Sequence, residues 1–150
     1  MVLGIIGESC TGKSSIAGEL SNRMNTTVYT GKDYLKLAKN ENEAKKRFKD
    51  LLSSDEASNS VFIYIISERE HLPLLPPDAI RILLVSDLDV IKERFAKRIG
   101  GKLPPAVAEM LERKHGLFDD EQYDLKICND GSSIHDACDR IIEKYGALLL

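Results

Sequence analysis

A chain of 150 residues, 43% apolar and 30% charged, is long enough to bury a core as one domain without disulfides or metals. A net charge of −3 supplies no basic excess for a nucleic-acid surface, and no apolar run approaches the ~20 residues that span a bilayer. Those exclusions leave small-molecule chemistry as the expectation. Taken in chain order, Val2 to Ile6 is a continuous apolar run ending at Gly7, the pattern of a buried parallel strand. From Lys13 the period becomes helical, with Ile16, Ala17, Leu20 and Met24 on one face. Thr26 to Thr30 is β-branched and aromatic, a second strand closed by Gly31. Lys32 to Asp50 is highly charged and reads as one or two helices broken near Asn40, followed by a polar loop from Ser53 to Asn59.

Ser60 to Ile66 is the most apolar strand and is expected at the centre of the sheet. Pro73, Pro76 and Pro77 impose an irregular link before a fourth strand, Ala79 to Val85. Ser86 or Asp87 caps a helix carrying Val90, Ile91, Arg94, Phe95 and Arg98, which Gly100 and Gly101 end with a stretch expected to be mobile. A further helix, Ala106 to Arg113, stops near Gly116. Tyr123 to Cys128 is a fifth strand, and Ser132 or Ser133 starts a last helix with Ile134, Cys138, Ile141, Ile142 and Tyr145 on one face. Such alternation predicts a single α/β domain over 1–150, with a parallel sheet covered on both faces. Ligands of these sheets bind beyond the carboxyl ends of the strands, which gathers Gly7 to Ser14, Thr30 to Asp33, Ser67 to Glu70, Ser86-Asp87 and Asn129-Asp130 into one cleft.

Gly7-Glu8-Ser9-Cys10-Thr11-Gly12-Lys13-Ser14 satisfies G-x-x-x-x-G-K-[ST] at every defined position, between a strand and a helix. Phosphate oxygens need several converging N–H donors, and a loop wrapped on a helix N-terminus provides them. Gly12 admits the backbone where a Cβ would collide, Lys13 reaches the β- and γ-phosphates, and the Ser14 hydroxyl can ligate Mg²⁺. The residues from Gly7 through Ser15 are therefore the expected donor site, with ATP and Mg²⁺ as cofactors. Cys10, Cys128 and Cys138 have no zinc or disulfide spacing and read as reduced thiols. Met1 to Ile6 lacks the basic start of a secretory leader, so a cytoplasmic protein is expected. His71, His115 and His135 have no spacing that suggests a metal or a nucleophile and are taken as structural.

Beyond the loop, four segments resemble the nucleoside monophosphate kinases of the phosphate-loop superfamily, and among them the cytidylate kinase-like proteins. These are Thr30-Gly31-Lys32-Asp33-Tyr34-Leu35; Ser67-Glu68-Arg69-Glu70 with its link and following strand; Asp87 to Arg98; and Tyr123 to Asn129 with the helix after it. The resemblance implies a phosphate-loop three-layer α/β/α sandwich with a five-stranded parallel sheet. A reduced acceptor-binding segment would occupy about 31–59, and a short lid about 99–116. It also implies transfer of the γ-phosphoryl group of ATP to a nucleoside monophosphate. Arg69 takes the place of the family's acceptor-binding arginine and Glu70 that of its aspartate, while Glu68 replaces a family glycine.

Arg94 and Arg98, four residues apart on one helix face, would stack on the base and bind phosphate, with Arg113 and Lys114 as further lid cations. Lys32, Lys36 and Arg69 are the cations available to an anionic acceptor, with Asp33 beside them. The same residues admit plainer roles: Arg94 and Arg98 as a solvated helix face, Asp33 as a helix cap, Glu68-Arg69-Glu70 as an exposed turn. Two other readings stay open. A hydroxyl acceptor would use Asp33 or Glu68 as base, and Glu68-Arg69 also resembles the Glu-Arg pair of deoxynucleoside kinases. A nucleotide-binding module without turnover is the third. The partners expected are a nucleoside triphosphate and a small-molecule acceptor, a nucleotide on the first reading, with neither nucleic acid nor membrane.

Overall fold

The structure is a computed structural model of the chain and describes residues 1–54, 57, 60–131 and 133–149. Five strands, β1 (Val2–Gly7), β2 (Thr26–Thr30), β3 (Val61–Ile66), β4 (Ile80–Val85) and β5 (Leu125–Cys128), form one sheet in the order β2-β3-β1-β4-β5. Every pairing is parallel. The register sets Ile6 opposite Ile66, Gly7 opposite Leu84, Thr30 opposite Ile65 and Val85 opposite Cys128, so all five carboxyl ends share one rim.

The strand expected at the centre, β3, lies one place off it, and β1 holds the middle. Both are buried along their whole length, and an apolar run reports burial on two faces without ordering the strands that have it. The fifth strand is shorter than its apolar pattern. Tyr123 is exposed, and Asp124 joins β4 ahead of the strand: its amide donates to the Arg81 carbonyl, and its carboxylate accepts from the Arg81 amide.

Alternation along the strands builds the two cores. Leu3 and Ile5 of β1, with Ile63, Ile65, Ile82 and Leu84, face α1 (Lys13–Arg23) and the last helix, α5 (Ile134–Leu149). Val2 and Ile6, with Phe62, Tyr64, Ile66 and Leu83, face α2 (Glu41–Leu52). Phe48 of α2 is fully buried and meets Tyr64 and Tyr29 edge-on, at centroid distances of 4.9 and 5.3 Å. The segment expected as an acceptor lobe therefore supplies the helix that covers this face of the sheet. The break expected near Asn40 is there: a 3-10 turn over Gly31–Leu37 ends, and the Asn40 side chain accepts from the Glu43 amide to start α2. The polar loop after α2 falls in part outside the described residues.

The proline-rich link is a 3-10 turn, Arg69–Leu74, that buries Leu72 and Leu74. Helix α3 (Leu88–Arg98) follows Asp87, but neither expected capping side chain caps it: the Ser86 hydroxyl donates to the Asn129 carbonyl at 2.6 Å instead. Helix α4 (Pro105–Lys114) starts one residue early, because proline suits the first helical position, where no amide is needed. Its Leu111 packs on Ile91 of α3 and on Cys10 of the glycine loop. Ser133 begins α5 by accepting the Asp136 amide on its hydroxyl, while Ser132 lies outside the described residues. The face expected on α5 is the one that packs, with Cys138 and Ile141 fully buried. No helix among the described residues is long and apolar enough to cross a membrane.

Candidate functional site

The loop between β1 and α1 wraps as a nest of backbone amides. Cys10 has φ 64° and Gly12 φ 98°, both left-handed, and these turn the chain back on itself before α1 begins. The inside of the turn is braced. Buried Thr11 donates its hydroxyl to the Glu8 carbonyl at 2.8 Å. Asn129, buried at the end of β5, donates its side-chain amide to the Thr11 carbonyl at 2.9 Å. A Cβ on Gly12 would lie 2.4 Å from that amide nitrogen, and one on Gly7 would lie 2.6 Å from the Thr11 hydroxyl. Close approach thus requires both glycines of the motif, and at Gly12 the left-handed φ requires one as well.

Lys13 curls into the turn and donates to the Glu8 carbonyl at 2.5 Å. Burial pushes its ammonium down to about 8, and the positive charge of Arg98 pushes the same way; Cys10 and Glu8 pull it back up. A buried cation whose partner among the described residues is a single neutral carbonyl lacks a counter-charge, which an anion would supply.

Two cavities adjoin here, sharing Cys10, Gly12, Ser15 and Arg98. One, of about 160 Å³, is walled by Lys13, Ser14, Ser15, Arg98 and the strand ends at Thr30 and Ser67. The other, of about 280 Å³, lies beyond Gly12 between Ser15, Arg94, Arg98, Asn129 and Ile134. Arg98 belongs to both walls, so one guanidinium bridges a polar phosphate-sized space and a partly apolar space suited to a base. These residues fit a nucleoside triphosphate, with the Ser14 hydroxyl, exposed at the first turn of α1, available to Mg²⁺.

The two arginines of α3 have different surroundings. Arg94 donates to the carbonyls of Cys10 (3.0 Å) and Asn129 (2.8 Å) and to the Ser86 hydroxyl (3.2 Å), tying α3 to the loop and to β5. Arg98 is exposed, and no described residue forms a hydrogen bond or ion pair with its guanidinium. On the other side, Asp33 accepts the Thr30 amide at 2.8 Å, closing a capping box, with Lys36 3.9 Å away. Arg69 is exposed and pairs with Glu121 at 3.3 Å, and Glu70 is exposed beside His71. None of Lys32, Asp33, Lys36, Arg69 and Glu70 walls either cavity. Arg113 is exposed, and Lys114 reaches Glu68 at 3.4 Å.

The structure gives three residues contacts that the sequence did not specify. Asn129 was assigned to the cleft by its place after a strand, but nothing in its neighbourhood marks it as the prop of the loop. Glu8, the second residue of the motif, accepts the Gly116 amide at 3.2 Å and meets His115 Nδ1 at 3.1 Å. His115, expected to be merely structural, thus stands on the loop. His71 is buried, packs edge-on to Tyr34, and leaves both ring nitrogens without a hydrogen-bond partner among the described residues. The described residues hold no cluster of metal-ligating side chains, and the three cysteines are unbridged.

No protein-family model matches the chain, and no curated protein matches it in sequence. Solved structures do match in shape. The YorR protein of Bacillus subtilis, described in complex with phosphorylated GDP, aligns over 97% of this chain and 96% of its own at TM-score 0.68 and 21% identity. A gluconokinase of Sinorhizobium meliloti aligns over 98% and 92% at TM-score 0.64 and 12% identity. The shikimate kinase of Aquifex aeolicus aligns over 98% and 97% at TM-score 0.58 and 17% identity. With its five-stranded parallel sheet and its glycine loop before α1, the chain has the three-layer α/β/α fold of the phosphate-loop kinases.

Proposed function

We propose that the protein is an ATP-dependent phosphotransferase that hands the γ-phosphoryl group to a small acceptor at the carboxyl rim of the sheet. The observation that carries this is Lys13: a buried ammonium at the start of α1 whose hydrogen-bond partner among the described residues is one loop carbonyl, that of Glu8. Phosphoryl transfer asks a protein mainly for placement and charge neutralisation. The loop amides and the α1 N-terminus would hold the phosphates, and Lys13 would exchange the Glu8 carbonyl for a phosphate oxygen. Ser14 would hold Mg²⁺, which neutralises charge on the β- and γ-phosphates when bound. Arg98 would close on the transferring group from α3. Arg94 would keep the loop in shape.

The acceptor is best read as a hydroxyl. Glu68 stands at the end of β3 with its carboxylate facing Lys114, whereas the cations an anionic acceptor would need lie on the surface, Arg69 with Glu121 and Lys36 with Asp33. A monophosphate acceptor is the second reading. It is favoured by the likeness to YorR, which is described with a phosphorylated nucleotide.

An acceptor screen by labelled ATP transfer tests both. Lys13→Ala should abolish transfer, by at least about 100-fold, with the circular dichroism of the wild type, because it removes a transition-state cation and little packing. Unchanged turnover in that variant would refute the assignment of the loop. Glu68→Gln should disable transfer to a hydroxyl and spare transfer to a monophosphate, which arrives already ionised.

A further inference from the structure

A third cavity lies against the phosphate site, enclosed between the loop, the end of β3 and helix α4. Its two sides differ in chemistry. One side is apolar: Ile91 of α3, Met110 and Leu111 of α4, and Leu117 beyond it. The other side is polar: Glu8 and Ser9 from the loop, Ser67 and Glu68 from the strand end, with Lys114 across from Glu68. Ser9 and Ser67 also wall the cavity that Lys13 lines, so the polar side of the one adjoins the other.

The charges of the wall sum against an anion. Glu8 and Glu68 are two carboxylates, and the single lysine in the wall, Lys114, is paired with Glu68. Glu8 is engaged from outside the cavity by the Gly116 amide and His115. A phosphate or carboxylate placed here would face two carboxylates against one lysine in a confined space, where like charges repel.

We infer that this cavity is the acceptor subsite, and that it takes a small neutral alcohol with an apolar body. The inference rests on the reading of the loop as an ATP site. The apolar body lies on Met110, Leu111 and Leu117, and the hydroxyl points past Ser9 and Ser67. In the transfer, the acceptor oxygen forms its bond to the γ-phosphorus as the bond from that phosphorus to the β-bridging oxygen breaks. ADP leaves, and the hydroxyl proton passes to the Glu68 carboxylate and from there to water. Glu68 is the catalytic residue of this step, while Glu8 acts through the lid.

The cavity as it stands holds about 30 Å³, the space of a single water, so α4 must lift to admit the acceptor. Its attachments suit that movement. Glycines with positive φ flank the helix, Gly100 at 105° and Gly101 at 117° before it and Gly116 at 83° after it. The polar ties that must part or follow are the Lys114–Glu68 pair, the contacts of Glu8 with 115 and 116, and the Lys92–Glu112 pair between α3 and α4.

The test uses the full chain with saturating Mg·ATP and follows ADP release and the phosphorylated product. The acceptor arms are 2-phenylethanol and cyclohexylmethanol as neutral apolar alcohols, glycerol and glucose as polyols, and cytidine monophosphate as the anion. We expect the first pair alone to raise ADP release at least tenfold above the ATP-only rate and to yield their phosphate monoesters. Met110→Gln, which keeps the length of the side chain, should raise KM for those alcohols at least tenfold at unchanged Kd for Mg·ATP. Glu68→Gln should lower kcat while sparing KM. Stimulation by the polyols or by cytidine monophosphate without the apolar alcohols overturns the inference, as does stimulation by none of them, and in either case calorimetric binding of Mg·ATP leaves the loop reading standing. Absence of Mg·ATP binding overturns both.

Discussion

Replacing Gly12 by alanine tests whether the loop is held in shape by the prop beneath it. An alanine at φ 98° sits in the left-handed region, which costs an L-residue about 1–2 kcal/mol. Its Cβ would also fall 2.4 Å from the Asn129 amide nitrogen, which must then withdraw from the Thr11 carbonyl. Leaving that buried carbonyl unsatisfied costs about 1–3 kcal/mol. The sum, about 2–5 kcal/mol, corresponds to a fall of roughly 4–20 °C in Tm for a domain of this size. Asn129→Ala alone removes the same hydrogen bond without the backbone strain, and should cost about 1–3 kcal/mol.

The double variant separates the causes. With the side chain of Asn129 gone, the new Cβ meets no obstacle, so Gly12→Ala with Asn129→Ala should be about as unstable as Gly12→Ala alone. The cycle should therefore show a coupling of about 1–3 kcal/mol, read from urea unfolding with linear extrapolation. Costs that add to within about 0.5 kcal/mol would refute the contact as the reason for glycine at this position.

Three further outcomes follow from the site and the core. Lys13 carries a pH signature: its folded-state value is depressed to about 8, so below that pH the lysine is charged in both states and its burial costs about 3 kcal/mol. Between about 8 and 10.5 the folded protein has released the proton while the unfolded chain keeps it, so stability rises with pH. The difference in urea midpoint between wild type and Lys13→Met should narrow across that window, and a constant difference would contradict the burial. Arg94→Ala should cost about 2–4 kcal/mol of stability through its three hydrogen bonds, whereas Arg98→Ala should lower kcat for transfer with Tm within about 2 °C of wild type; thermal melts and steady-state kinetics on the pair check both. Phe48→Ala should cost about 3–5 kcal/mol in a single cooperative transition, because α2 covers the main core, and an early separate melting of α2 would show otherwise.

The conformation of the loop was legible in the sequence because its demands are local. Strand, turn, glycines, lysine and helix are contiguous, and each conformational demand falls on the residue that meets it. Helix α5 was legible for a similar reason: its apolar stripe has one period and one face to fill, and Cys138 and Ile141 are the residues that fill it. Alternation of strands and helices likewise decided a parallel sheet with helices on both faces. It did not decide the strand order, since β1 and β3 carry the same doubly apolar pattern and only their packing partners distinguish them.

What spacing along a helix leaves open is what stands opposite. Arg94 and Arg98 are equivalent in sequence, one turn apart, yet the first reaches two carbonyls and a hydroxyl and the second reaches none of the described residues. That difference comes from the end of β5 lying beside one of them, 35 residues away in the chain for the Arg94–Asn129 contact. The same holds for Glu8, whose partners at 115 and 116 lie more than 100 residues downstream. Sequence by itself determined that a glycine loop joins the first strand to the first helix and where its lysine stands; the tertiary structure decided which side chains brace that loop, because hydrogen-bond partners are set by proximity in space and the chain closes those distances only when the sheet is assembled.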